Sequence, residues 1–346
     1  MNVFLSKQRL AIVIAAVFGV LGSGFHTAAA ESRTLNALFI GNSFTGRHNL
    51  SQIVKAMAEA GDPNLRFEVT TVIYGGRTLK DHWRLGTQNF VRIAALTAEE
   101  ERLTIKSLDE TVAKDARDNS AQAALGRHRE LLKSLAAPHR KWDLVILQSY
   151  RDDGAGDASA YVEYAPKFAA LIKAQGGRVV LYETTPDTQN ATPLTTAPDR
   201  APIVAKARTI AALARRIDAT VVPMSMVALH CQMVRPDLTL RFVNDGHLNQ
   251  TMAYLTACTF QAALFGRSPE GLPVATVTDT RFFDATHKDQ DRDGKPITRT
   301  FSVKERLDLQ RIAWEGFQEF RKISQSVDTT KPTTAPATSS SGEARR

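Results

Sequence analysis

The chain has 346 residues, 43% of them hydrophobic, which is enough to bury a sizeable core. Its formal net charge is +8, and the charge falls to +6 without residues 1–30, which contain two basic residues and no acidic one. The basic residues are scattered and are not interleaved with aromatic residues, which argues against a nucleic-acid-binding protein.

Residues 1–30 have the pattern of a cleaved signal peptide. A short basic start precedes an apolar run over residues 10–21, and three alanines at 28–30 fit the small-residue rule for signal peptidase. We therefore expect this segment to be removed and the protein to be exported to the periplasm or secreted, without stable membrane insertion. A retained anchor is the alternative, but the apolar run is short for a bilayer span.

Short apolar runs alternate with helix-like stretches along the chain. Continuous apolar runs of this length suit strands that are buried on both faces of a parallel sheet. The predicted strands cover residues 35–40, 67–74, 144–147, 179–182 and 220–222. The predicted helices cover about residues 50–60, 159–175, 200–216, 250–265 and 303–325. The alternation predicts a three-layer α/β/α sandwich with a central, mostly parallel sheet, as in flavodoxin-like folds.

Residues 31–326 are predicted to form a single domain with one insertion. Residues 97–137 are charged, rich in Ala and Leu, and nearly free of Gly and Pro, which indicates one or two surface helices between the second and third strands. Residues 185–199 have the composition of a loop. The tail at 327–346 is rich in Thr, Pro, Ser and Ala and is predicted to be disordered, because it cannot bury a core.

Two further features leave alternatives open. Cys231 and Cys258 could form one disulfide in an oxidising compartment or remain two buried thiols. Residues 289–294 match D-x-D-x-D-G, the first half of a calcium loop, but Thr300 stands where a bidentate Glu is expected. A charged surface turn is therefore the favoured interpretation, and no metal site is predicted.

Residues with reactive side chains follow the predicted strands, at the sheet edge where ligands bind in parallel folds. Ser43 follows the first strand in a tight turn, which would expose its hydroxyl for attack on an acyl carbon; an N-cap role is the alternative. Gly75 and Gly76 follow the second strand, where glycine lets backbone approach a ligand closely. Gln148 follows the third strand and offers an amide donor at the same edge.

The segment Asn244-Asp245-Gly246-His247 precedes the predicted helix at 250–265. A histidine on a loop beside Asp or Asn has the composition of a general base with an orienting partner. The order of Ser, Gly, Gln and then Asp with His, each after a predicted strand, favours one shared catalytic site.

These four blocks resemble the SGNH (GDSL-like) hydrolases over roughly residues 34–266. LFIGNSFT resembles the serine block of that family, YGGRTLKDHW the glycine block, WDLVILQSY the Asn block and NDGHLNQTMAYLTAC the terminal block. The most similar branch has a GNS nucleophile motif, a GG-x-[TS]-L turn, and LQ in place of the usual GxND.

The resemblance implies a nucleophile, a base and an oxyanion hole. Ser43 would attack the substrate, and His247 would take its proton. The N–H groups of Ser43 and Gly76 and the side-chain amide of Gln148 would bind the oxyanion; Gly76 fits because it precedes x-Thr, as the family's glycine does. No metal or organic cofactor is implied.

The resemblance also places Asn42, Gly75 and His82 beside the substrate, although a capping or packing role is the alternative for His82. The usual Asp-x-x-His spacing is not met, because Asn244 lies three residues before the histidine and Asp245 two before. An Asn cannot stabilise an imidazolium by charge. Either the loop bends so that Asp245 serves, which we favour, or a Ser–His dyad works with weak orientation.

The sequence therefore predicts an exported serine esterase that works through an acyl-enzyme. A small-molecule or carbohydrate ester, such as an O-acetylated glycan, is the expected substrate on the basis of the resemblance and the predicted location. Two alternatives remain: a non-catalytic glycan-binding protein on the same fold, and a thioesterase or lysophospholipase on that fold.

Overall fold

The computed structural model describes residues 33–139, 141–152, 159–184 and 188–327. The predicted signal peptide, nearly all of the predicted disordered tail and part of the predicted loop at 185–199 lie outside the described residues. Within the described ranges, no helix is both long and apolar enough to cross a bilayer.

Five strands form a parallel sheet, and each of them overlaps one of the predicted strands. They are β1 (Arg33–Gly41), β2 (Leu65–Ile73), β3 (Leu144–Leu147), β4 (Arg178–Glu183) and β5 (Ala219–Pro223). Their order in the sheet is β2-β1-β3-β4-β5, with every neighbouring pair parallel. A separate antiparallel pair, β6 (Thr276–Thr278) with β7 (Thr298–Thr300), was not predicted.

Helices connect and cover the strands. They are α1 (Ser43–Gly46), α2 (Leu50–Gly61), α3 (Leu79–Arg84), α4 (Thr87–Val91), α5 (Ala98–Lys114), α6 (Asn119–Ser134), α7 (Ala160–Ala174), α8 (Ala201–Arg216), α9 (Met224–Val234), α10 (Gln250–Phe265) and α11 (Val303–Ser326). Short 3₁₀ turns occupy Arg47–Asn49 and Ile93–Ala95. The sequence patterns missed α3, α4 and α9. The first two are too short to show a helical period, and α9 is buried on most of its faces, so its sequence lacks a polar face.

Alternation along the strands builds two hydrophobic cores, one on each face of the sheet. In β1, Ala37 and Phe39 belong to the core under α2, α10 and α11, whereas Leu38 and Ile40 belong to the core under α7 and α8. Both faces are covered, so all four side chains are fully buried. The predicted α/β/α sandwich is thereby confirmed.

The predicted insertion between the second and third strands consists of α5 and α6. A buried polar cluster fixes it to the domain: His128 Nδ1 contacts Glu101 Oε1 at 2.6 Å, and Glu101 Oε2 accepts from Asn89 Nδ2 at 2.8 Å. His128 Nε2 lies 2.9 Å from the carbonyl oxygen of Leu85.

Elsewhere in the domain, Cys231 and Cys258 are buried free thiols. Burial raises the pKa of the Cys231 thiol to about 12, which makes it a poor nucleophile.

The order 2-1-3-4-5 puts the direction change of the connections between β1 and β3. Ligands of doubly wound folds bind in the crevice that this change leaves at the carboxyl ends of the strands. Gly41 ends β1 and Gln148 directly follows β3, so the predicted nucleophile turn lies at this crevice.

Candidate active site

The turn after β1 presents Ser43 at the start of α1. The Oδ1 atom of Asn42 accepts the N–H of Phe44 at 3.0 Å, which caps this short helix. The cap is therefore supplied by Asn42, and the alternative in which Ser43 serves as N-cap is wrong. Ser43 is half-buried, and its hydroxyl is left for other contacts.

His247 lies against that hydroxyl, although the two residues are 204 positions apart. The distance from His247 Nε2 to Ser43 Oγ is 2.7 Å, within the range for direct proton transfer. The histidine is held on a narrow loop: the N–H of Phe242 donates to the His247 carbonyl at 3.2 Å, and the N–H of Asn249 donates to the Leu240 carbonyl at 3.1 Å.

Asp245, and not Asn244, contacts the histidine. Asp245 Oδ1 is hydrogen-bonded to His247 Nδ1 and also accepts the backbone N–H of His247 at 3.2 Å. This second contact is an Asx turn, in which a side chain binds the backbone two residues ahead. The turn explains how an Asp-x-His spacing can replace Asp-x-x-His. Asn244 is exposed, and its N–H donates to Asp293 at 3.0 Å.

Behind Asp245 lies an ion pair that the sequence analysis missed. Arg47 Nη1 donates to Asp245 Oδ2 at 2.8 Å, and Arg47 Nε donates to Asp279 Oδ1 at 2.8 Å. Arg47 is only 3% exposed, and burial of its charge is compensated by the two carboxylates. Burial acts to raise the pKa of Asp245, but the hydrogen bonds from His247 and Arg47 hold it well below its usual value. Asp245 is therefore a carboxylate throughout the neutral range.

The glycine turn after β2 lies beside the nucleophile turn. The N–H of Tyr74 donates to the Gly41 carbonyl at 3.0 Å, which ties the two turns together. Gly75 and Gly76 are exposed, and Gly76 has φ = +64°, a left-handed conformation that favours glycine. In the described part of the chain, no acceptor binds the N–H of Ser43 or of Gly76. These two N–H groups are available to a ligand, and their oxyanion role stays a prediction.

Gln148 does not face the site, which corrects the expectation that its amide donates to an oxyanion. It is fully buried under the nucleophile turn. Its Oε1 accepts the N–H of Asn42 at 2.8 Å and the hydroxyl of Thr45 at 3.0 Å, and its Nε2 donates to the Ser149 carbonyl. The oxygen must point at the turn because the Asn42 N–H can only donate. Gln148 is therefore a positioning residue.

Asn42 is also not beside a substrate, contrary to expectation. It is fully buried, its Oδ1 caps α1 at Phe44, and its Nδ2 donates to the Arg77 carbonyl at 3.2 Å. The side chain joins the nucleophile turn to the glycine turn, so both its polar atoms are already engaged inside the protein.

His82 lies behind the nucleophile turn and not in the pocket, so its predicted substrate contact is wrong and the packing alternative holds. It is fully buried, with Nε2 3.0 Å from the Gly41 carbonyl and Nδ1 3.0 Å from Thr87 Oγ1. Burial lowers the pKa of His82 to about 4. The neutral ring therefore donates from Nε2 to Gly41 and accepts the Thr87 hydroxyl at Nδ1.

The acidic turn at 289–294 supports the histidine loop. Asp293 accepts the N–H groups of Val243 and Asn244 at 2.9 and 3.0 Å. Asp291 is buried, which corrects the expectation of a purely surface turn, and its Oδ1 accepts the N–H groups of Asp293 and Lys295. The carboxylates of Asp291 and Asp293 thus bind backbone N–H groups. The described residues contain no group of three or more His, Cys, Asp or Glu arranged to hold a metal ion.

A cleft of about 290 Å³ opens beside His247 and the turn that contains Ser43. Its lining is polar and aromatic and consists of Phe44, Tyr150, Arg151, Arg241, Gly246 and His247. The His247 side chain thus forms part of the wall of a cleft that can admit a small ligand, and Ser43 Oγ lies 2.7 Å from its Nε2 atom.

Comparison with known proteins gives similarity to solved structures alone. No family model matches the chain, and no curated protein matches it. A DUF4886 family protein from Bacteroides uniformis is 16% identical, with a TM-score of 0.49 and coverage of 83% of this chain and 95% of that one. A protein from Slackia heliotrinireducens, described as a candidate SGNH hydrolase, is 17% identical, with a TM-score of 0.39 and coverage of 67% and 100%.

A third similar structure is a gut microbial diltiazem-metabolizing enzyme, which is 14% identical with a TM-score of 0.33. The alignment covers 66% of this chain and 46% of that enzyme, so the chain spans less than half of its length. Similarity at these levels carries no information about the activity of this chain, and function has to be argued from the site itself.

Proposed function

We propose that the protein is a serine hydrolase that cleaves esters through an acyl-enzyme. The single observation that carries the proposal is the chain of contacts from Asp245 to His247 Nδ1 and from His247 Nε2 to Ser43 Oγ at 2.7 Å. A base within hydrogen-bond reach of a serine, itself oriented by a carboxylate, is the arrangement that activates a hydroxyl for acyl transfer.

The carboxylate sets the protonation of the ring. Because Asp245 is ionised and accepts from Nδ1, the neutral imidazole carries its proton on Nδ1 and presents a lone pair at Nε2. That lone pair faces Ser43 Oγ, so His247 can accept the hydroxyl proton as the oxygen attacks. The imidazolium that forms is stabilised by the negative charge of Asp245.

The reaction follows in two halves. Ser43 Oγ bonds to the acyl carbon, its proton passes to His247 Nε2, and the oxyanion is bound by the N–H groups of Ser43 and Gly76, which have no acceptor among the described residues. His247 then protonates the leaving alcohol, and an acyl-serine remains. Water then gives a proton to His247 and attacks the acyl carbon. The bond between that carbon and Ser43 Oγ breaks, and His247 returns the proton to Oγ, which releases the acid and restores the serine.

The size and polarity of the cleft favour a short acyl group. The cleft is about 290 Å³ and is lined by polar, charged and aromatic side chains, which do not suit a long alkyl chain. We propose a small-molecule or carbohydrate ester, such as an acetate ester, as the substrate. The pattern of residues 1–30 supports action outside the cytoplasm.

A fluorophosphonate probe together with a panel of p-nitrophenyl esters, acetate to palmitate, tests the proposal. We expect the wild type to be labelled and to hydrolyse short-chain esters. Ser43→Ala should not be labelled, and kcat should be lowered about 10⁴-fold or more in both Ser43→Ala and His247→Ala. Ser107→Ala, at an exposed position of α5, and His139→Ala are the matched controls and should behave as the wild type.

Labelling of Ser43→Ala at the wild-type rate would overturn the assignment of the nucleophile. Absence of labelling and of hydrolysis in the wild type, with retained sugar binding, would favour the glycan-binding alternative. A preference for palmitate over acetate would favour a lysophospholipase or thioesterase on this scaffold and would contradict the argument from the cleft.

A further inference from the structure

The cleft beside Ser43 carries positive charge that the proposed mechanism does not use. Two of its lining side chains, Arg151 and Arg241, are cationic, and none of the described residues that line it is acidic. The nearest catalytic carboxylate, Asp245, is already engaged by His247 and by Arg47. A ligand in this cleft therefore meets the guanidinium of Arg241, which contacts no carboxylate among the described residues.

Arg241 is held in place without being neutralised. Its Nε donates to the Gln189 carbonyl and its Nη1 donates to the Phe242 carbonyl, both at 3.1 Å. A guanidinium has five N–H donors, and within the described chain the remaining ones of Arg241 bind no acceptor. The side chain is half-buried, so its charge is only partly screened by solvent.

Arg47 provides the contrast. It lies close to the same histidine loop, but its guanidinium binds the carboxylates of both Asp245 and Asp279. Its charge is therefore neutralised within the protein. Arg241 contacts backbone carbonyls alone, which fix its plane and leave its charge for a ligand. A fixed guanidinium with free donors matches the two oxygens of a carboxylate.

The backbone of Arg241 ties it to the catalytic histidine. Arg241 pairs with Leu248 in an isolated antiparallel bridge, and Leu248 directly follows His247. The N–H of Phe242 donates to the His247 carbonyl across the same loop. A group bound by Arg241 is therefore held at a fixed position relative to the Nε2 atom that serves Ser43.

We propose that Arg241 forms a subsite for an anionic group, and that the substrates are esters that carry a carboxylate near the scissile bond. The proposal rests on the proposed esterase function and narrows its substrate class. The charge can lie on the alcohol half, as in an acylated acidic sugar, or on the acyl half, as in a dicarboxylic half-ester. The shared chemistry is a carboxylate at the guanidinium of Arg241.

Matched pairs of neutral and anionic esters test this. For the alcohol half the pair is 4-acetoxybenzamide and 4-acetoxybenzoate; for the acyl half it is 4-nitrophenyl butyrate and mono-4-nitrophenyl glutarate. We expect Arg241→Gln to lower kcat/KM for the anionic member of at least one pair by about tenfold or more, and for its neutral member by less than about threefold. The pair that responds identifies the half that carries the charge.

Arg241→Lys keeps the charge without the planar fork and should retain part of the preference, whereas Arg66→Gln, at an exposed position of β2, should retain all of it. The anionic preference should also decrease as salt is added. Equal effects of Arg241→Gln on both members of both pairs, or no effect on either, would overturn the anionic subsite.

A separate measurement distinguishes failure of the subsite from failure of the esterase function. If the wild type cleaves no ester of either pair, the esterase proposal fails, and binding of 4-acetoxybenzoate is then followed by NMR titration in Ser43→Ala. Saturable binding that weakens about tenfold or more in Ser43→Ala/Arg241→Gln would still support the subsite. Equal binding by the two variants, or no binding, would overturn it.

Discussion

The two sides of the nucleophile turn differ sharply in how their side chains are held. On the outer side, the His247 side chain is 30% exposed, and it contacts Ser43 and Asp245. On the inner side, His82 and Gln148 are fully buried, and each binds the turn through one end and the protein through the other.

The difference separates the groups that a substrate can reach from the buried groups that hold the turn in place. On the outer side, the Nε2 atom of His247 faces the hydroxyl and the N–H groups of Ser43 and Gly76 have no acceptor in the described chain, so a substrate can engage them. On the inner side every contact is between protein groups, and these contacts fix the turn before substrate arrives. Pre-organised sites depend on this kind of buried support. Substitutions on the two sides should therefore have different signatures.

Among the residues that support Ser43 and His247, the largest effect is expected for Asp245→Asn on the outer side. The amide cannot stabilise the imidazolium and can favour the wrong tautomer of His247, so kcat should decrease about 10³-fold. The free energy of unfolding should also decrease, because Arg47 loses one of its two carboxylates, but by less than in Arg47→Met, since Asp279 still pairs with Arg47. Asn244→Ala is the matched control, because the Asn244 side chain is exposed and makes no contact with the histidine among the described residues. Steady-state kinetics on a short-chain ester measure both. A larger loss in Asn244→Ala than in Asp245→Asn would exclude the Asp245 assignment.

Removal of Arg47 tests the ion pair behind the outer side. Arg47→Met leaves the fully buried Asp279 without its arginine and leaves Asp245 with only the more distant Arg292, at 3.8 Å. Removal of one partner of a buried pair lowers the free energy of unfolding by about 3–5 kcal/mol. Urea denaturation at pH 7 measures the loss. Neutralising the deeper carboxylate as well, in Arg47→Met/Asp279→Asn, should restore part of the stability. A double variant less stable than Arg47→Met would contradict this coupling.

Gln148→Met tests the inner side with a side chain of similar size. The substitution leaves the Asn42 N–H and the Thr45 hydroxyl without an acceptor, and unsatisfied buried donors each lower the free energy of unfolding by about 1–3 kcal/mol. The turn should also shift, and a small misplacement of Ser43 can lower kcat about 10²-fold. The loss of kcat, about tenfold smaller than in Asp245→Asn, separates the supporting role of Gln148 from that of Asp245. A variant that lost kcat at unchanged stability would instead indicate a direct role in the reaction.

Much of the fold was predictable because its signals are local. Residues 144–147 are wholly apolar because they are buried on both faces of a parallel sheet, and the run alone indicated β3 with its observed bounds. Ser43 and His247 could be found because each lies in a short motif at the end of a predicted element. The rule that parallel strands end at a common edge placed Ser43 at the crevice. The position of His247 beside it was an expectation from the resemblance, because His247 lies between α9 and α10 and follows no strand directly.

The supporting contacts could not be predicted, because they join residues far apart in sequence. Arg47 and Asp279 are 232 positions apart, and neither lies in a pattern that marks a buried ion pair. The direction of the Gln148 amide depends on which backbone group lies opposite it, which a motif does not encode. The burial of Asp291 likewise depends on packing against the neighbouring α10, whose Gln250 donates to it at 3.0 Å.

The smallest expected effect concerns His82 and the pH dependence of stability. Burial lowers the pKa of His82 to about 4, whereas an unfolded histidine titrates near about 6.5. Below about pH 6.5 the unfolded chain binds a proton that the folded protein does not. The free energy of unfolding therefore decreases as the pH is lowered from about 6.5 to about 4. Burial also lowers the pKa of His48, which contributes with the same sign.

His82→Gln should remove part of this acid sensitivity. A glutamine can donate to the Gly41 carbonyl as the histidine does, but it does not titrate. Urea denaturation at pH 7 and pH 5 should show a decrease in unfolding free energy that is smaller in the variant by about 2 kcal/mol. His139→Gln, at a partly exposed position, should keep the wild-type difference. If His82→Gln shows the same decrease in unfolding free energy between pH 7 and pH 5 as the wild type, the neutral buried ring of His82 is not the source of the acid sensitivity.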